Sequence, residues 1–99
     1  MLGPPPDLDE VRRIVLDHLR GRPARVWLFG SWARGSASRI SDIDVAVEPL
    51  QPLPPGLLAE LHEALEESRI LHSVDLVDLS RTAAEFKRHV QAEGILWNG

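Results

Sequence analysis

The sequence predicts a single-domain α/β (α+β) fold, a small mixed β-sheet of at least three strands covered by helices. Three observations carry that expectation. Apolar residues recur at helical spacing in three stretches, near 8–19, 57–65 and 83–90. The runs 26–29, 41–47 and 73–79 are short, rich in β-formers and set between turn residues. Helical and strand patterns alternate along the chain, which suits a sheet packed against helices.

The elements follow in order. Residues 1–6, MLGPPP, cannot start a helix and read as a loose lead-in to the single domain 1–99. Asp7 or Asp9 then caps a helix running to about Arg20, with Leu8, Val11, Ile14, Val15 and Leu19 as its apolar stripe. His18 reads as a partly buried or surface histidine. Gly21 and Pro23 end the helix. Val26-Trp27-Leu28-Phe29 is a buried strand closed by Gly30, and a short helix follows the Gly30-Ser31 turn. The next strand, 41–47, alternates apolar and polar residues. Pro49, Pro52, Pro54 and Pro55 make 49–56 a stiff connector. A helix over 56–69 turns Leu57, Leu58, Leu61, Ala64 and Leu65 inward and Glu60, Glu63, Glu66 and Glu67 to solvent. After the strand at 73–79, Ser80 or Thr82 caps a last helix with stripe Ala83, Phe86 and Val90, Glu85 completing a capping box with Thr82.

Bulk composition narrows the function classes. A 43% hydrophobic, 26% charged chain of net charge −4 is ordinary for a globular protein and lacks the basic excess of a general nucleic-acid binder. No apolar run approaches the ~20 residues of a membrane span, and residues 1–16 show no secretory signal. With no cysteine there is no disulfide framework or thiolate metal site, and the expected address is cytoplasmic. His18, His62, His72 and His89 form no i, i+3 or i, i+4 pair, so no helical zinc motif is present. Gly30 and Gly35 imitate the start of a P-loop, yet Ser36-Ala37 stand where Lys-Ser/Thr belongs, and Ser31 sits in no G-x-S-x-G elbow.

One pair of residues needs a chemical reason. Asp42 and Asp44 are two apart on a strand, so they share a face, ~7 Å apart at their Cα atoms, while Ile43, Val45 and Val47 point into the core. Like charges that close repel. A hard divalent cation such as Mg²⁺, which takes oxygen ligands, supplies a reason to keep them together.

Gly30-Ser31, ten residues, then Asp42-x-Asp44, within GSWARGSASRISDIDVAV, resembles the DNA polymerase beta-like nucleotidyltransferase superfamily. The fuller stretch, with Arg34-Gly35 and Ser41 before the first Asp, is similar to the minimal nucleotidyltransferases (MNT), the MntA-type antitoxins of HEPN/MNT pairs. The tail Glu93-Gly94-Ile95-Leu96-Trp97 also resembles that family's ending. The resemblance implies a nucleotidyltransferase fold and metal-dependent transfer of a nucleoside monophosphate, AMP from ATP, with Mg²⁺ or Mn²⁺. It implies Asp42 and Asp44 as metal ligands and catalytic residues, joined by a third carboxylate on a later strand. Asp75, in Val74-Asp75-Leu76, matches that third position best, and Asp78, in Val77-Asp78-Leu79, fits the same local pattern. Three apart on a strand, Asp75 and Asp78 face opposite sides, so only one can join Asp42 and Asp44. Gly30, Ser31, Arg34 and Ser41 are the implied nucleotide-binding residues, and Arg39 is a second arginine near the phosphate turn.

The acceptor implied by the resemblance is a HEPN-type RNase toxin, adenylylated on a tyrosine in studied members, with this chain as the antitoxin. Trp32 and Trp97 are candidate contacts to such a partner, and Trp97 also suits core packing. Two other readings stand beside it: an antibiotic-modifying type of small-molecule nucleotidyltransferase working as a dimer, and a binding-only antitoxin or subunit.

Overall fold

The structure, a computed structural model, describes residues 6–38 and 40–98. Residues 1–5 of the expected lead-in 1–6, and Arg39, lie outside them, while Pro6 belongs to the first helix instead of the lead-in. The elements are helix α1 (Pro6–His18), strand β1 (Ala24–Phe29), the short helix α2 (Ser31–Arg34), β2 (Ile43–Pro49), α3 (Leu57–Glu67), β3 (Val74–Asp78), α4 (Ala84–Glu93) and β4 (Ile95–Leu96). A 3-10 turn, Leu79–Arg81, joins β3 to α4. The strands form one mixed sheet in the order β3-β2-β1-β4, with β2 parallel to β3 and antiparallel to β1, and β4 antiparallel to β1. The α/β expectation is met, with a fourth strand added.

Each strand has two faces, and the two faces meet different helices. Val26, Leu28, Ile43, Val45 and Val47 point to one side, where α1 and α3 cover them with Val11, Ile14, Val15, Leu19, Leu61 and Leu65 in one core. The other side carries a smaller cluster, Ala46, Leu79 and Val90, with Trp27, Phe29, Val77 and Phe86 packed against it. Phe29 meets Phe86 of α4 edge to face at 5.7 Å. Glu48 is buried on this second face, accepting hydrogen bonds from Trp27 Nε1 (3.0 Å) and Gln91 Nε2 (2.9 Å), so α4 is tied to the sheet through a carboxylate.

Local details depart from expectation at the helix starts. α1 opens at Pro6, which suits a first helical position, and Asp7 lies inside the first turn. Its carboxylate instead accepts from the backbone N–H groups of Leu71 (2.7 Å) and His72 (3.0 Å) and from His72 Nδ1 (2.8 Å), tying α1 to the entry of β3. Neither Ser80 nor Thr82 caps α4, whose N-cap is Ala83 with no side-chain bond. Thr82 Oγ1 donates to Leu79 O and Asp78 caps the 3-10 turn, so the intervening turn uses up the polar residues.

The chain end is bound to β1. Trp97 N donates to Val26 O (2.8 Å), and the Asn98 amide takes Val26 N and gives to Ala24 O, extending the ladder past β4. Trp97 is buried in the main core. A Cβ on Gly94 would fall 2.6 Å from Val90 O and 3.1 Å from Leu28 O, so only glycine lets α4 turn back onto β1 here. Among the described residues no helix is long and apolar enough to cross a membrane.

Candidate functional site

β1 ends at Phe29 and the backbone turns at Gly30, whose φ of 76° belongs to the left-handed region. A side chain there is excluded twice over, since a Cβ would land on the Asp44 carboxylate. The sequence needs glycine at this position to let the two segments meet. Ser31 opens α2, and Gly35 closes it in left-handed conformation.

Across the sheet, register brings the acidic residues together. Phe29 of β1 pairs with Asp44 of β2, and Asp44 pairs with Asp75 of β3. Paired residues share a face, and neighbouring strands lie ~4.8 Å apart, so Asp44 and Asp75 stand side by side on the α4 face. Asp42 lies just before β2, two residues from Asp44. Asp78 is placed elsewhere. It pairs with Val47, faces the other side of the sheet, and accepts from Ser80 N (2.9 Å) and Ser80 Oγ (2.6 Å).

Electrostatics register the same proximity. The Asp44 carboxyl is pushed above its ordinary value, first by burial, then by the negative charges of Asp75 and Asp42, with the Arg34 guanidinium pulling the other way. Arg34, exposed at the end of α2, is thus near enough to act on the cluster. Ser41 is engaged at all three polar groups: its N–H donates to Ser38 O (3.1 Å), its Oγ accepts from Ser38 N (2.9 Å), and its carbonyl accepts from Trp32 Nε1 (3.1 Å). Ile43 N donates to Ser73 O (2.9 Å), so Asp42 is held between two anchored neighbours. Among the described residues no three carboxylate or imidazole groups are arranged to hold a metal ion.

A groove of about 760 Å³ lies away from this cluster, lined by the proline connector, Leu58, Asp78 and Arg81. It sits at the far ends of β2 and β3, and it holds none of the acidic residues the motif singles out except Asp78. Chemistry decides against it: the glycine turn and the clustered carboxylates are at the opposite end of the sheet.

Residues 15–97 match the sequence profile of the family described as Polymerase beta, Nucleotidyltransferase. The chain belongs to that family. It is also similar to a probable protein adenylyltransferase MntA from Haemophilus influenzae, at 36% identity over 66 residues, 67% of this chain and 58% of that protein. The chain thus spans less than two thirds of that curated relative's length. Among solved structures, it resembles a toxin-antitoxin with AMP-PNP at 31% identity and a TM-score of 0.69, covering 89% of this chain and 73% of that one. It also resembles a tri-AMPylated Shewanella oneidensis HEPN toxin in complex with MNT antitoxin, at 26% identity and a TM-score of 0.66, over 94% and 70% of the two chains.

In this nucleotidyltransferase chain, the residues that sequence reasoning left without a role near the cluster are Phe29, His72 and Asp7. From sequence Phe29 reads as part of a buried strand, and its pairing with Asp44 follows only from the register. His72 stacks edge to face on Trp32, with ring centroids 5.8 Å apart. Its partner Asp7 is 65 residues away in sequence, which no local pattern encodes.

Proposed function

We propose that this chain transfers AMP from ATP to a hydroxyl of a HEPN-type toxin and so acts as its antitoxin, in the cytoplasm where ATP is available. One observation carries the reading: the β2–β3 register that sets Asp75 beside Asp44, with Asp42 two residues before and the Gly30-Ser31 turn packed on Asp44. The charges of Asp75 and Asp42 act on Asp44, with Arg34 acting against them, and carboxylate oxygens are the donors that hard divalent cations take.

On this reading Asp42, Asp44 and Asp75 would hold Mg²⁺ or Mn²⁺, and Asp75 would also take the proton of the attacking hydroxyl. The metal, when bound, neutralises charge that grows on the attacking and leaving oxygens of the displacement. Gly30 leaves the backbone open to the triphosphate, the Ser31 hydroxyl donates to it, and Arg34 supplies positive charge. Ser41 serves the nucleotide through the turn it stitches, since its own polar groups are bonded within residues 32–41. The hydroxyl attacks the α-phosphorus, a P–O bond forms to the acceptor, and pyrophosphate leaves with the electron pair of the broken bond.

The rim favours a protein acceptor. Ile40 and Leu71 are 90% and 92% exposed, and they stand on the segments that lead into β2 and β3, at the carboxylate end of the sheet. Apolar side chains held in water beside a polar site suit a protein surface better than a small polar acceptor. The similarity to MntA and to the HEPN–MNT complex supports the same choice.

ATP labelled at the α- or the γ-phosphate tests the reaction class. The expected result is α-label on the toxin protein and none from the γ-position. Label from the γ-position would make the chain a phosphotransferase, and label on a small hydroxylated compound alone would move the reading to the antibiotic-modifying type.

A further inference from the structure

The geometry points to Trp32 as a positioning residue that fixes Asp42. The inference deepens the proposed reaction and rests on it. Asp42 precedes β2 and so lies outside the ladder that holds Asp44 and Asp75 in register. Its place depends on its two neighbours. Ile43 is fastened to Ser73 by the 2.9 Å backbone bond, and Ser41 is fastened to Trp32 by the 3.1 Å bond from indole Nε1 to its carbonyl.

Trp32 can act as a strut because it is itself held. Its ring packs against the main core and meets His72 edge to face at 5.8 Å and 79°. His72 in turn is gripped through Nδ1 by Asp7 of α1, whose carboxylate also takes the N–H groups of Leu71 and His72. One residue further along, Ser73 provides the carbonyl that anchors Ile43. Both fastenings of Asp42 therefore trace back to the same α1–β3 junction. With its N–H used internally and its ring on the core, Trp32 is part of the site's frame.

A strut of this kind governs how closely Asp42 approaches Asp44, and hence how well the pair holds a cation. Partners bonded directly to a metal ligand contribute about 10–100-fold to metal binding, and a contact one residue removed from Asp42 belongs at the low end of that range. Mn²⁺ affinity, read by electron paramagnetic resonance on the chain with a non-hydrolysable ATP analogue, tests it directly. Trp32→Phe keeps a ring and removes the donor. The expected result is Mn²⁺ affinity at least about tenfold weaker than wild type in the folded protein. A second form with 3-benzothienylalanine in place of Trp32 keeps the ring shape without an N–H, and the same loss is expected there even where Phe lowers the melting temperature. Wild-type affinity in the benzothienyl form overturns the inference while leaving the proposed function intact. A wild-type chain that binds no Mn²⁺ removes the functional reading, and this inference with it.

Discussion

Asp44 carries the strongest conflict between folding and function. Burial and two neighbouring carboxylates favour its protonated form, so the folded state holds that proton more tightly than the unfolded chain does. Its ionisation therefore destabilises the fold. Stability from this group is fully present below the ordinary carboxylate range and is lost as pH rises through the raised value. Asp44→Asn should remove that loss, giving a melting temperature equal to or above wild type at neutral pH in chelator. The same substitution, or Asp42→Asn, should lower AMP transfer by about 10²–10³-fold or more, since a metal's charge stabilisation contributes several kcal/mol. Thermal melts across pH, beside initial rates, check both halves. Asp75 and Asp78 separate in the same assays. Asp75→Asn should abolish transfer with little change in melting, whereas Asp78→Ala should keep transfer and lose ~1 kcal/mol of stability with the cap on the 3-10 turn. The reverse ordering would move the third role to Asp78.

Among the elements, the strands and the two long helices were legible because their signals are local. Leu61 and Leu65 are buried in α3 as their spacing requires, and Glu60, Glu63, Glu66 and Glu67 face water. The two-residue repeat that pairs Asp42 with Asp44 on a strand over 41–47 is half met: β2 opens at Ile43 and leaves Asp42 just ahead of it, where its charge still acts on Asp44. The contacts that cross the chain were not legible. Asp7 reads from sequence as a helix cap, but it lies inside the first turn, and its three bonds to residues 71 and 72 follow only from the docking of α1 against the β3 entry. β4 is two residues long, too short for an alternation, and Asn98 joins β1 through its side chain. The Asp7 link gives a further expectation. Hydrogen bonds from His72 hold its carboxyl below the usual value, so it contributes stability above the ordinary carboxylate pKa, which is lost as pH falls through the lowered one. Asp7→Ala should cost about 1–3 kcal/mol at neutral pH, by urea unfolding, with a smaller difference from wild type in acid. Equal stability at pH 7 would mean that α1 docks through its apolar stripe alone.

At the scale of the whole molecule, the sheet works as a ruler. The face under α1 and α3 supplies most of the core, and the α4 face carries Phe29, Asp44 and Asp75 in one row across three strands. The proposed reaction gives a reason for the two carboxylates in that row, and the motif was legible because it is contiguous. The proposed acceptor rests on resemblance, since the residues that meet a second protein follow no periodic rule. Positioning a nucleophile can contribute ~7–11 kcal/mol to such a reaction, and a partner surface is the natural source of it here. Intact-mass measurement of a HEPN-type toxin, after incubation with this chain, ATP and Mg²⁺, tests the central claim most directly. The expected result is a toxin heavier by one or more AMP groups, and no gain with Asp44→Asn. An unchanged toxin mass beside an active wild-type chain that modifies a small hydroxylated molecule would contradict it.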